Sequence, residues 1–236
     1  NGSVSPDLAM DKMFTMSPSN TTNSGDTSVK FYFIEAEIAG WEAATGLSRT
    51  ALVVYREDGN EIITPTIGAF GSDVTLTGNF TGLNGNYYFG TTATFEKVTV
   101  TPKVYLQGAF TNPNVGETTL MRDDLRVGGL IPTTSTYADG LTCNSSVFTP
   151  IGADAIVDWV WVELRDAGDN TSVIASQSAL LQRDGDVVGN DGVSPLVFTQ
   201  TSGNYFVVVN HRSHLGVMSI AAVALTGTNT NVDLSA

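Results

Sequence analysis

Along this chain the apolar positions recur mostly at every second residue, in short runs broken by Gly, Pro, Asn and Asp. "SVKFYF" (Ser28 to Phe33) places Val29, Phe31 and Phe33 on one face, the period-two pattern of a half-buried strand. "EAEIAGWEAATG" departs from alternation. Glu residues lead, Ile38 and Trp41 stand three apart and Gly46 closes the run, which predicts one short helix. "ALVVYREDGNEII" reads as two strands around Asp58-Gly59, a hairpin signal. "DVTLTGNF" and "NYYFGTT" follow as strands, and "KVYLQGAF" is expected as the next. In "TTLMRDDLRVGGLIP", Leu120, Asp124 and Leu125 fall at helical spacing before Gly128-Gly129, which predicts a second short helix.

"IVDWVWVELRD" sets Val157, Trp159, Trp161 and Glu163 on one face and Asp158, Val160, Val162 and Leu164 on the other. Both faces are mostly apolar, so this strand is expected to be central and covered on both sides. "SVIASQSALL", "SPLVFTQ", "GNYFVVVNHR", "GVMSIAAVALTG" and "NVDLSA" add further strands, "GVMSIAAVALTG" as a buried one. No predicted helix is long enough for an α/β crossover, so the fold class is all-β.

Two stretches repeat a local pattern. "NFTGLNGNYYFG" and "VFTQTSGNYFVV" each run from Phe-Thr through a turn to Gly-Asn-Tyr. A Tyr at the head of a late strand is how a tyrosine corner reads, with the ring over the end of the core and the hydroxyl on backbone. Tyr87 or Tyr88, and Tyr205, take that structural role. The expectation is two tandem Ig-like antiparallel β-sandwich modules with one short helix each. Residues 1–28 form an N-terminal arm or edge segment, 29–97 the first module and 98–236 the second. The break is placed near Glu96 to Pro102, because Val98 to Thr101 is extended and polar-alternating and Pro102 is unsuited to a central strand. In the arm, Met10, Phe14 and Met16 face one way. They suit either a first edge strand or an extended arm that completes a neighbouring subunit's sheet.

Composition narrows the partners. Only 15% of the 236 residues are charged, so Thr, Ser, Asn and Gly must carry the solvent faces, the habit of secreted β proteins. The formal net charge of −13 repels phosphate backbones, which argues against nucleic acid as a partner. No apolar run reaches the roughly 20 residues of a membrane span. The single Cys143 permits no intrachain disulfide and is expected as a small buried hydrophobe. The start at Asn1, with neither Met nor a signal peptide, is expected of a processed product or a piece of a longer chain.

Candidate chemistry is sparse. "RDGDVVGNDGVSP" gathers Asp184, Asp186, Asn190 and Asp191. Counted from Asp184 as an EF-hand loop, position 5 is Val188 and position 12 is Pro195, so an oxygen ligand and the bidentate Glu are missing. The stretch is read as a turn between strands, with Arg183 neutralising one carboxylate. A looser structural calcium site on Asp184, Asp186 and Asp191 is the alternative, and no other cofactor is expected. His211 and His214 stand three apart like a zinc pair but lack an evident third ligand. On a strand ending in a turn, that spacing puts the two rings on opposite faces, and both are read as turn-fixing polar residues. Adjacent Asp123 and Asp124 point apart and suit a surface helix. No nucleophile elbow is present, and no catalytic residue is nominated. Asn-x-Ser/Thr sequons stand at Asn1, Asn20, Asn79, Asn144 and Asn170.

Taken in order, "PKVYLQGAF", "LMRDDLRVGGLIP", "VDWVWVELRD", "ALLQRDGDVVGNDGVSPLVF" and "GNYFVVVNHRSHLGVMS" resemble a module of large secreted surface proteins of Bacteroidetes. Those proteins are hemagglutinin- or adhesin-like, and many are exported by type IX secretion. "VKFYFIEAEIAGWEAATG", "ALVVYRED" and "IGAFGSDVTLTGNFTGLNGNYYFG" look like the module that often precedes it. The resemblance implies an extracellular or cell-surface protein without enzymatic activity, and no catalytic residues carry over.

The functional expectation is a structural or adhesive subunit that forms a homo-oligomer or polymer, through edge strands or the Met10, Phe14 and Met16 arm. The alternative is a carbohydrate-binding surface module, calcium-assisted near Asp184, with Trp41, Tyr55 or Tyr137 exposed to stack on glycan rings.

Overall fold

The computed structural model describes residues 8–18 and 25–235. The chain divides into two compact units, one ending at Glu96 and the other beginning at Lys97. Among the described residues both are built of mainly antiparallel sheets packed face to face, with short helices only, which is an all-β sandwich architecture.

The first unit runs β1 (Phe14–Met16), β2 (Thr27–Phe33), α1 (Glu35–Thr45), β3 (Val53–Arg56), β4 (Glu61–Ile63), β5 (Thr66–Phe70), β6 (Asp73–Phe80), β7 (Gly85–Gly90) and a single turn, α2 (Thr92–Phe95). One sheet has the order β1-β7-β3-β4 and the other β2-β6-β5. The alternation of β2 does what its pattern requires: Val29, Phe31 and Phe33 are buried, while Ser28, Lys30 and Tyr32 are exposed. Phe31, Phe33, Val54, Leu76, Tyr87 and Phe89 meet between the sheets. Helix α1 buries Ile38 and Trp41 and stops at Gly46, whose φ of 71° is the left-handed cap that glycine supplies without strain. At its start the Glu37 carboxylate accepts from the Ile34 N–H at 3.0 Å, satisfying one donor beside the open first turn. The hairpin between β3 and β4 is longer than the Asp58-Gly59 signal implies. Residues 57–60 form a tight 3₁₀ turn, and the left-handed residue is Asn60, at φ 48°. A Cβ on Gly59 would lie 2.2 Å from the Arg56 guanidinium, which explains a glycine without a positive φ there.

The second unit runs β8 (Val98–Lys103), α3 (Gln107–Phe110), α4 (Asp124–Val127), β9 (Ile156–Asp166), β10 (Val173–Gln182), β11 (Val187–Val188), β12 (Leu196–Phe198), β13 (Gly203–His211), β14 (His214–Met218), β15 (Val223–Leu225) and β16 (Thr230–Asp233). Its larger sheet has the order β11-β10-β9-β13-β14, with β15 pairing the other end of β13. The smaller sheet, β12-β8-β16, packs on one face. The opposite face is covered by α4 and the long connection after it, whose Leu125, Ile131, Leu141, Val147 and Phe148 lie over Trp159, Leu180 and Val188. Strand β9 is therefore central and buried on both sides, as its doubled apolar pattern requires.

Several elements differ from expectation. Pro102 lies inside β8, the middle strand of its sheet. Strand β12 pairs only Val98 to Val100, and β16 runs parallel along the other side from Val100 to Lys103. The Thr99 N–H and the Lys103 carbonyl bond on the β16 side, so the Pro102 nitrogen points past the end of β12, where no donor is needed. In "KVYLQGAF" the strand ends at Lys103 and Gln107–Phe110 forms a helical turn. The second predicted helix shrinks to α4, with Leu120 outside it. Each unit also holds one single helical turn, α2 or α3, beyond the helix expected for it. "GVMSIAAVALTG" is two short strands with a break between them, and Ile220 at the break is fully exposed.

Candidate functional site

Two places combine unusual geometry with side chains that the sequence had singled out or passed over. The first is the seat of the N-terminal strand in the first unit. Strand β1 adds to β7 in antiparallel register, with Phe14, Thr15 and Met16 opposite Tyr87, Asn86 and Gly85. Phe14 and Met16 turn into the core, where the Phe14 ring meets Phe31, Phe33 and Phe89 at 5.4, 6.0 and 5.7 Å. Met10 is buried beside them, and its N–H donates to the Phe89 carbonyl at 2.7 Å. Lys12 closes the seat from outside. Its ammonium pairs with Glu37 at 2.8 Å and lies 4.6 Å from the centre of the Phe33 ring. Met10, Phe14 and Met16 thus share one face, as their spacing implies, and that face fills the unit's own core.

The second place is at the end of the large sheet in the second unit. His211 ends β13 and His214 begins β14, joined only by Arg212 and Ser213. The expectation of opposite faces is overturned. The chain reverses between the two rings, so they become directly opposed cross-strand partners. A bulge sets this up, because Leu215 and Gly216 together face Asn210. A Cβ on Gly216 would lie 2.2 Å from Asn210 Oδ1, so a side chain there would require the Asn210 amide to turn away.

The ring centroids of His211 and His214 are 4.8 Å apart, and their Nδ1 atoms approach to 2.9 Å. His211 Nε2 lies 3.1 Å from Asp158 Oδ2. Asp158 is 1% exposed and fully engaged: Arg212 grips it from 2.6 and 3.1 Å, and the Trp159 N–H donates to Oδ1 at 2.8 Å. The sequence pattern put Asp158 on the core face of β9 but gave no sign of what would neutralise it there. Two cavities of about 200 Å³ are lined by both rings. The partners of the two imidazoles are this carboxylate, two backbone N–H groups and each other, with no hydroxyl or thiol nucleophile among them.

The acidic stretch is a hairpin turn from β10 to β11 followed by a loop. Its carboxylates work separately. Asp184 Oδ1 accepts from the Asp186 N–H at 3.2 Å, and Asp186 pairs with Lys103 at 3.1 Å. Asp191 accepts from the Val193 and Ser194 N–H groups at 3.0 and 2.9 Å. Burial alone would raise the Asp191 pKa, but the bonds from Ser194 and Val193 hold it below the ordinary carboxylate value. Among the described residues no group of three His, Cys, Asp or Glu is placed to hold a metal ion.

Arg183 does not neutralise this stretch. Its side chain is buried and turns the other way, to the Met121 carbonyl at 2.6 Å, to Asp123 at 3.7 Å and to Glu117. Asp123 is buried as well, held by Arg126 at 2.5 Å, so only Asp124 of that pair is on the surface.

Trp41 and Tyr55, expected at the surface, are buried. The Trp41 indole donates to the Leu8 carbonyl at 3.0 Å, and the Tyr55 ring stacks on Phe95 at 5.0 Å. Tyr137 is half-buried and stacks on Trp161 at 5.7 Å. Trp41 and Tyr55 offer no free ring face, and Tyr137 gives one of its faces to Trp161. The exposed aromatic pair is Tyr32 with Phe70, 50% and 65% exposed, their rings edge to face at 5.4 Å. Asn79, Asn144 and Asn170 are exposed, whereas the sequons at Asn1 and Asn20 lie outside the described residues. Cys143 is half-buried against the loop-covered face, and burial raises its pKa. No helix among the described residues is long and apolar enough to cross a membrane.

No protein-family model, curated protein or solved structure matches this chain.

Proposed function

We propose that this chain is a non-enzymatic extracellular structural or adhesive protein whose subunits join by exchanging the N-terminal strand. The observation that carries the reading is the seat of β1. A three-residue edge strand delivers Phe14 and Met16, with Met10 before it, into a core built by the rest of the unit. The segment reaches β2 through residues 17–26, so the same contacts can be made in a second copy if the connector crosses over. The sparse charge, the Thr- and Asn-rich surface and the resemblance to secreted surface modules favour the outside of the cell.

Thr15 and Asn86 are cross-strand neighbours, which makes the exchange testable. In a Cys143→Ser background, Thr15→Cys with Asn86→Cys should give disulfide-linked ladders on non-reducing gels of assembled material. Oxidation of the dilute monomer first should lock the strand at home and block assembly. Intramolecular disulfides only, with assembly unaffected, would defeat the exchange.

A carbohydrate-binding role has one observation in its favour, the exposed pair Tyr32 and Phe70. Its edge-to-face geometry gives one ring face at a time for stacking on a sugar. Loss of glycan-array binding on Tyr32→Ala with Phe70→Ala would establish that role.

A further inference from the structure

The hydrogen bonds around His211 and His214 admit one arrangement of protons. A bond between two Nδ1 atoms needs one donor and one acceptor. The Ser213 N–H donates to His211 Nδ1 at 3.2 Å, so that atom is the acceptor. His214 Nδ1 therefore carries the proton of the 2.9 Å contact. His214 Nε2 is then a lone pair, and the Gly108 N–H donates to it at 3.2 Å. His211 carries its own proton on Nε2 and gives it to Asp158 at 3.1 Å. Both rings are neutral, and every ring nitrogen is used. The same assignment leaves a proton, not a lone pair, on His214 Nδ1, so the two Nδ1 atoms are not a ready metal pair.

One more proton has no place in this arrangement. On His214 it would go to Nε2, against the Gly108 N–H. That turns a hydrogen bond into two opposed donors.

We propose that His211 and His214 form a proton-operated latch: neutral, they hold the β13–β14 hairpin to the α3 turn, and a single proton added to His214 releases both. The charged surroundings do not provide an easy counter-ion. Asp158 on β9 is already paired with Arg212 from the turn. Arg122 and, from α4, Asp124 line the same cavity, where they lie 3.5 Å from each other. The Tyr137 hydroxyl, from the covering loop, accepts from the Arg212 N–H at 3.1 Å. Tyr105 lines the second cavity. Burial lowers the His214 pKa, a charge on His211 would lower it further, and Asp158 opposes them.

In the opened hairpin His214 binds a proton near the ordinary histidine value of about 6.5, and in the closed one only below it. Between the two values the open state holds more protons. The latch is therefore at full strength above about pH 6.5 and weakens as pH falls, by roughly tenfold per pH unit for one proton.

This inference is independent of strand exchange in the first unit. Its test is amide hydrogen exchange by NMR on the full chain from pH 7.5 to 5, corrected for intrinsic rates, alongside imidazole ¹⁵N spectra. The expected result is an Nε2–H tautomer at His211 and Nδ1–H at His214. Protection at Gly108, Ser213 and the β14 amides should fall about tenfold per pH unit while β9 stays protected. His214→Gln should abolish the pH dependence. Flat protection, other tautomers, or an unchanged slope in the Gln variant would overturn the latch. If that variant does not fold, the wild-type tautomers and slope decide the matter.

Discussion

The hydroxyl of Tyr205 donates to the carbonyl of Thr201 at 2.7 Å, and Tyr87 makes the same four-residue contact to Leu83 at 2.8 Å. Both rings are buried at the head of a strand that follows a tight turn. Each hydroxyl ties the loop before the strand to the strand itself. Tyr205→Phe and Tyr87→Phe each remove one hydrogen bond and keep the ring. Each should cost about 1 kcal/mol in urea unfolding of its own unit. A cost near zero would mean that water replaces the phenol at the carbonyl.

Arg183 joins the 117–123 segment to the end of β10 through Glu117, Asp123 and the Met121 carbonyl. Arg183→Met leaves these groups facing a buried apolar side chain. Breaking a buried pair costs about 3–5 kcal/mol, and Glu117 can turn toward water, so about 3 kcal/mol is expected. Arg183→Lys should recover only part of this, because an ammonium lacks the planar fork. Denaturant midpoints of the two variants against wild type test the ordering.

Asp139 sets a pH dependence. Burial would raise its pKa, but bonds from Ser178 Oγ and N–H, at 2.6 and 2.7 Å, and from the Leu141 N–H hold it below the ordinary value. A depressed carboxylate stabilises the fold above its unfolded pKa, and that stability is lost as pH falls through the folded value. Asp139→Asn should cost about 1–2 kcal/mol at pH 7, and the difference should shrink toward acid. Thermal melts of both proteins between pH 7 and 3 should converge.

Calcium should leave the melting temperature unchanged. Asp184, Asp186 and Asp191 each serve a separate partner, and recruiting them would break the Lys103 pair and two turn contacts. Melts with millimolar calcium and with chelator are the measurement. A rise of several degrees with calcium would mean that the loop reorganises into a site.

Much of the fold was legible because it rests on local rules. The buried Val29, Phe31 and Phe33 follow from strand period, and the end of α1 follows from Gly46. The Tyr205 corner follows from a turn glycine before an aromatic strand; the same pattern left Tyr87 or Tyr88 for the first unit, and burial decides for Tyr87. Pro102 misled for a specific reason: the rule against proline in a central strand assumes neighbours along the full length of both sides, and β12 ends too early. Leu120 sits at helical spacing from Asp124, but the chain there is drawn to Arg183 instead, through the Met121 backbone.

The site was less legible. The spacing of His211 and His214 was visible, but a strand rule applied across a turn put the rings on the wrong faces. The "HRSH" run with a two-residue turn was the signal that could have paired them. Trp41, Tyr55 and Tyr137 looked available because nothing near them in sequence covers them.

By itself, then, the sequence determined the period of strands such as β2 and β9, the first helix, the Tyr205 corner and a sparsely charged surface. These depend on side-chain alternation and backbone conformation within a few residues. The tertiary structure decided which polar groups meet. Asp158 and His211 are 53 positions apart, Arg183 and Glu117 66, and Thr15 and Asn86 71. Such pairs form because sheet order and register bring distant strand ends together, and alternation within one strand carries no information about its neighbour.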